Sequence, residues 1–309
     1  MITRPRQRSQ RPGLRRNSRD RNASVNLCAP GERFQRSSCT LEPLPCVLRR
    51  PTTLLSFGRR FLWKSGRQCY TVFHMAKQNG NGKLRLSPSA LNLFLECPKC
   101  FWLEYGAGIH RPKGPFPSLP GGMDIIIKKY FDSYRAVGKL PPEIADQVEG
   151  DLFPDTEVLN KWRSWRSGLS YYDKNLDAVL VGALDDCIVF EGRYIPTDYK
   201  TRGFELKEGG ESFYQNQLNC YSFLLESNGL PQPSYAYLIY FIPKEVKSGG
   251  VVTFSVEVKK VATSIEVAQR TFSAAVAVLR GPSPRSHSNC QFCSWGTSIE
   301  NTETTIQAA

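Results

Sequence analysis

The chain has 309 residues, ten cysteines and a formal net charge of +13, and it lacks an apolar run of the roughly 18 residues that a membrane helix needs. The charge suggests a nucleic-acid binder, but it is confined to one end: residues 1–74 hold 16 Lys and Arg against 3 acids, while residues 75–309 hold 25 of each. A uniformly basic body is therefore excluded, and any nucleic-acid surface on it must be a local patch.

Residues 1–75 are rich in Arg, Ser and Pro without apolar periodicity, which predicts a disordered basic extension. It could be an organellar transit peptide, an arm that grips phosphates, or an incidental extension ahead of a working start at Met75. The last is preferred, because Met75-Ala76-Lys77 and the Gly/Asn-rich run after it read as a natural beginning. The body is then one domain, 76–298, followed by a polar, disordered tail, 299–309.

Within the body, Ser87 and Pro88 suit an N-cap and first helical position, so a short helix starts there and runs into Cys97-Pro98-Lys99-Cys100. A Pro/Gly-rich connector, 111–122, leads to a helix from Met123 to Arg135, with apolar residues at helical spacing and Asp124 at its dipole-favoured start. A further helix is expected over Asp155–Arg166, with Trp162 and Trp165 on one face among Lys161, Arg163 and Arg166. Such a pair is either core, the preferred reading, or a stacking and phosphate-binding surface.

The most informative stretch is Gly182–Thr201. Ala178–Val181 leads into it as part of a first strand, and Glu191-Gly192 joins two β-rich runs as a hairpin. If Phe190 faces Arg193, Asp185 falls opposite Asp198, close enough for two carboxylates to share a divalent cation. Lys200 lies two residues beyond Asp198, on the same strand face. Two acids, a metal and a lysine suit phosphodiester hydrolysis, with the metal polarising a phosphoryl oxygen and the lysine orienting water or offsetting charge. A helix over Glu211–Ser227 sets Gln217 and Tyr221 on one face. Strands over Ser234–Ile242 and Val252–Val258 follow, then a helix from Ser264 to Arg280 stopped by Gly281.

Four cysteines lie in the extension, and Cys187 and Cys220 are solitary in apolar contexts. The other four form two Cys-x2-Cys pairs, Cys97/Cys100 and Cys290/Cys293, at opposite ends of the body. Paired in this way they predict one shared centre, either Zn2+ or an Fe–S cluster, clamping the end of the chain to its first helix. Such a centre and the absence of a secretory signal imply a reducing, cytoplasmic setting, with organellar targeting by the extension as the lesser reading.

In order, Leu86-Ser87-Pro88-Ser89, Cys97-Pro98, Gly182-Ala183-Leu184-Asp185, Asp198-Tyr199-Lys200-Thr201, Gln217…Tyr221 and the terminal cysteines resemble the PD-(D/E)XK nuclease superfamily. The nearest branch is the RecB-like one that includes CRISPR-associated exonucleases with 4Fe–4S clusters. The resemblance implies an α/β, restriction-endonuclease-like mixed β-sheet flanked by helices, and a Mg2+- or Mn2+-dependent DNA nuclease of repair, recombination or defence. It also implies Asp185, Asp198 and the Tyr199 carbonyl as metal ligands, Lys200 as the catalytic lysine, and Gln217 and Tyr221 as DNA-positioning residues. Where relatives carry a metal-binding His after a Gly, this chain has Asp124, which could ligate as well. Relatives with a cluster have one early and three late cysteines, against two and two here. DNA is the implied partner, with a helicase or other nuclease-complex subunit for unwinding; the rival reading is a non-catalytic DNA-binding or assembly subunit that keeps the fold.

Overall fold

Helices cover both faces of a five-stranded mixed sheet, and the alternation of side chains along one of its inner strands divides the core in two. The computed structural model describes residues 61–65, 68–72, 83–115 and 117–308. The remainder of the expected extension, and with it any test of its disorder or targeting role, lies outside the described residues. Strands β1 (Phe61–Ser65) and β2 (Gln68–Val72) pair antiparallel. Then come β3 (Leu84–Leu86), α1 (Pro88–Glu96), α2 (Pro98–Tyr105), α3 (Ser118–Arg135), β4 (Asp151–Leu152), α4 (Thr156–Trp162), β5 (Leu169–Asp173) and β6 (Ala178–Gly182). The second half is β7 (Asp186–Phe190), β8 (Arg193–Thr201), α5 (Gln215–Ser227), β9 (Tyr235–Val246), β10 (Val252–Ala262), α6 (Ile265–Arg280) and α7 (Gln291–Ala308).

The large sheet runs β10-β9-β8-β7-β4, and a smaller one runs β3-β6-β5. Strand β8 pairs antiparallel with β7 and parallel with β9, as the expected mixed sheet requires. On β9, Ala236, Leu238, Tyr240 and Ile242 enter a core with α1, α5, α6 and the small sheet. The alternate residues Tyr237, Ile239 and Phe241 enter a second core against Ile127 and Phe131 of α3. This period of two decides the site as well, because it sends consecutive β8 residues toward different helices.

Four local expectations are corrected. Helix α3 begins at Ser118, not Met123, so Pro120, Gly121 and Gly122 are helical and Asp124 lies beyond the first turn. Proline is tolerated in a first turn, where its missing N–H has no intrahelical partner anyway. Helix α4 stops at Trp162, and Trp165 lies in the turns beyond it. Strand β6 belongs to the small sheet, so the chain bends at 183–185 between β6 and β7 instead of running on as one strand. Helix α7 also runs through 299–308, the residues read as a tail. Among the described residues no helix is long and apolar enough to cross a membrane.

Candidate active site

Glu191 and Gly192 both take positive φ, 47° and 73°, the backbone of a two-residue hairpin turn that matches strand twist. Phe190 then pairs with Arg193 and Asp186 with Thr197. One step further, where β7 gives way to the 183–185 bend, Asp185 comes opposite Asp198. Its Oδ2 accepts from the Tyr199 backbone N–H at 3.3 Å. The bend itself depends on Gly182: a Cβ there would meet Leu224 Cδ1 at 2.6 Å, so only glycine lets α5 approach this closely.

Asp198 is buried, and Lys200 is the cation against it. The Lys200 ammonium is ion-paired to Asp198 Oδ2, the one close cation on that oxygen among the described residues. Oδ1 accepts from Gln217 Nε2 at 3.0 Å. Burial first, then the neighbouring Asp185 carboxylate, push Asp198 up to about 8 against the opposing pull of Lys200. A buried carboxylate facing a second carboxylate, its pKa raised despite the lysine, fits a divalent cation, which would reverse this electrostatic penalty.

Helix α5 braces the pair from one side. Gln217 accepts from Lys200 Nζ at 3.3 Å and donates to Tyr221 OH at 2.7 Å. Tyr221 OH in turn donates to the Ala183 carbonyl at 2.7 Å, so one chain of hydrogen bonds links acid, lysine and bend. Asp124 reaches the site only through Lys128, whose ammonium lies 2.8 Å from both Asp124 Oδ2 and Asp185 Oδ1. Burial disfavours the charge on Lys128, but the two carboxylates outweigh it and raise its pKa.

The opposite side of the hairpin holds residues that sequence reasoning passed over. Asp186 is wholly buried and accepts from Arg135 Nη2 at 2.8 and 2.6 Å, from Arg163 Nη2 at 3.1 Å and from Tyr199 OH at 2.5 Å. Arg163 Nε also donates to the Asp185 carbonyl at 2.7 Å, and its Nη1 pairs with Asp132 at 2.7 Å. Asp132 is held below the usual carboxylate range because Arg163 and Arg135 outweigh its desolvation. An Asp-Asp dipeptide entering a strand, which must send its side chains to opposite faces, was the available signal.

The two Cys-x2-Cys pairs meet, as the clamp requires. The four Sγ atoms lie within 4.8 Å of one another, Cys100 being 3.5 Å from Cys290 and from Cys293, and Cys97 3.8 Å from Cys293. All four are free thiols. The Cys97 thiol is held down to about 7: burial raises it, but hydrogen bonds from the Cys100 and His287 backbone win. Arg111 sets its Nη2 3.7 Å from Cys290 Sγ while pairing with Glu96 at 2.7 Å. Four clustered sulfurs beside a guanidinium are a donor set for a thiolate-bound metal.

No curated protein matches the chain. A family model described as the PD-(D/E)XK nuclease superfamily matches residues 131–298, a span that takes in both hairpin acids, Lys200, Gln217, Tyr221, the Asp186 network and the second cysteine pair. A mixed sheet with helices on both faces and an acid-rich hairpin agrees with that match. The chain belongs to the PD-(D/E)XK nuclease superfamily.

Proposed function

We propose that the protein is a divalent-metal-dependent DNA nuclease of the RecB-like branch. The observation that carries this reading is the buried Asp198 carboxylate beside that of Asp185, with the Lys200 ammonium against it. Asp185 and Asp198 would hold Mg2+ or Mn2+. The Tyr199 carbonyl would join them, since N–H and C=O of one strand residue point to the same side and its N–H already faces Asp185. When bound, the cation supplies Lewis-acid polarisation of the phosphoryl oxygen and a water of lowered pKa. Lys200 orients that water and offsets charge on the phosphate. Gln217 fixes Asp198 and Lys200 relative to each other through its two hydrogen bonds, and Tyr221 locks the bend that presents Asp185.

The cysteine centre is read as structural. With Zn–S bonds of ~2.3 Å, the edge of a thiolate tetrahedron is ~3.8 Å. Three of the six separations are 3.5–3.8 Å and all lie within 4.8 Å, which favours a single Zn2+ over a 4Fe–4S cluster, whose four irons need sulfurs further apart. The centre would tie α1 and α2 to α7, closing the domain around the sheet.

The test is cleavage of end-labelled single- and double-stranded DNA by the full chain, with Mn2+ or with EDTA, beside Lys200→Ala and Asp198→Asn. Metal-dependent cutting that both variants lose is the expected result. An unmutated chain that binds DNA but never cuts it would shift the reading to a non-catalytic DNA-binding or assembly subunit.

A further inference from the structure

Next to the carboxylate pair lies a cavity of about 340 Å3 whose wall includes Gln217, Tyr221 and Gly182 from the site and Arg85, Tyr105 and Trp165 from outside it. No residue lining it is acidic, although residues 75–309 carry as many acids as bases. The two tryptophans that the sequence placed together have parted. Trp162 is buried and stacked on Phe153 at 4.8 Å, whereas Trp165 is 70% exposed. An indole exposed to this degree presents ring surface on which a ligand can stack. It is nonetheless held in place: Arg85 Nη2 donates to the Trp165 and Arg166 carbonyls at 2.8 and 3.2 Å. The Arg166 guanidinium lies 4.5 Å from the indole centroid.

An exposed aromatic with two guanidiniums beside it, in a pocket whose wall shares Gln217, Tyr221 and Ala183 with the hydrogen-bond chain that braces the carboxylates, has the components of a single-strand stacking platform. Bases in a duplex have both faces covered by their neighbours and cannot offer one to an indole without unstacking. We propose that this cavity is a nucleotide subsite for single-stranded DNA, in which Trp165 stacks on an unpaired base next to the scissile phosphate and Arg85 and Arg166 face the adjoining backbone phosphates. The proposal rests on the nuclease reading for the position of the scissile phosphate, and it adds a preference for single strands or frayed ends.

The test is fluorescence anisotropy without added divalent cation, with a fluorescein-labelled oligo(dT) strand and a labelled blunt-ended duplex. The proteins are the full-length Lys200→Ala chain and the same chain with Trp165→Ala, Trp165→Phe or Arg166→Ala. Trp165→Ala is expected to raise the Kd for the single strand about tenfold, with Trp165→Phe retaining most of the affinity. Arg166→Ala should weaken binding and lower the salt slope by about one. The duplex Kd should change little in any of them. Equal single-strand affinity in Trp165→Ala, an equal loss for strand and duplex, or no DNA binding by any form would overturn the subsite. Cleavage by the unmutated chain is scored separately: Trp165-dependent binding without cleavage keeps the subsite and sinks the nuclease, while cleavage with a neutral Trp165→Ala does the reverse.

Discussion

Asp186→Asn is the sharpest test of how the hairpin is held. The substitution keeps the side-chain shape and deletes one charge from a site with no solvent exposure. Arg135, whose side chain is 1% exposed, keeps its charge and loses its bidentate partner, leaving only Asp132 at 3.3 Å and the Phe153 carbonyl. Two guanidiniums and two carboxylates balance in the native network; after the change one positive charge is uncompensated. Breaking a buried pair from one side costs about 3–5 kcal/mol, and with a urea m-value of ~3 kcal/mol/M the midpoint should fall by about 1 M or more. Tryptophan fluorescence in urea reads this directly. Arg135→Met added to Asp186→Asn removes the stranded charge, so the double variant should be more stable than the sum of the singles by about 1–3 kcal/mol. A loss below ~1 kcal/mol in the single variant, or additive losses in the pair, would refute the account of a desolvated network.

Asp198 sets a pH dependence. Its pKa in the fold is raised to about 8 from 3.8, so the metal-free fold is most compatible with the neutral acid: the contribution is intact below about pH 4 and lost as pH rises toward 8. Thermal midpoints of EDTA-stripped protein should fall across that window, Asp198→Asn should flatten the fall, and Mn2+ should stabilise increasingly as pH rises. Lys128 lies between Asp124 and Asp185 as a competing cation, so Lys128→Met should tighten Mn2+ binding about tenfold by isothermal titration, and unchanged affinity would remove it from the site. The purified full chain should carry about one Zn2+ by elemental analysis, and Cys290→Ser should lose it together with much of its thermal stability. Iron in that analysis would replace the zinc assignment.

Much of the candidate site was legible because it is local. Glu191-Gly192 between two β-rich runs fixes a turn, a turn fixes a register, and the register brings Asp185 opposite Asp198 without any knowledge of the rest of the fold. The four-residue helical spacing of Gln217 and Tyr221 likewise puts both on one face, and their hydrogen bonds confirm that they share it. The Asp186 network was not legible, because Arg163 and Arg135 stand 23 and 51 positions away from Asp186 and no periodicity encodes such a meeting. The same long-range pull explains the misread end of α4. Arg163 turns toward the Asp185 carbonyl, Asp132 and Asp186, and the helix ends one residue earlier, at Trp162. The early start of α3 has a different origin: Pro120-Gly121-Gly122 reads as a breaker, yet the packing of Ile127 and Phe131 carries the helix through residues of low intrinsic propensity.

Asp185 and Asp186 are neighbours in sequence with opposite electrostatic conditions, and that contrast is what makes the bend useful. The bend presents Asp185 outward, beside an Asp198 whose charge the fold resists despite Lys200. Asp186 turns inward to two guanidiniums and a phenol that satisfy it in full. Two partly exposed lysines therefore face the outer carboxylates, whereas two largely buried guanidiniums satisfy the inner one. Arg163 couples the two sides mechanically, since one guanidinium holds both the Asp186 carboxylate and the Asp185 carbonyl. Preorganisation of this kind would keep Asp185, the proposed metal ligand, in place before a metal arrives. On that reasoning Asp186→Asn should weaken Mn2+ binding although Asp186 does not face the metal, whereas a purely structural network would lower the urea midpoint and leave the metal affinity of the folded protein unchanged.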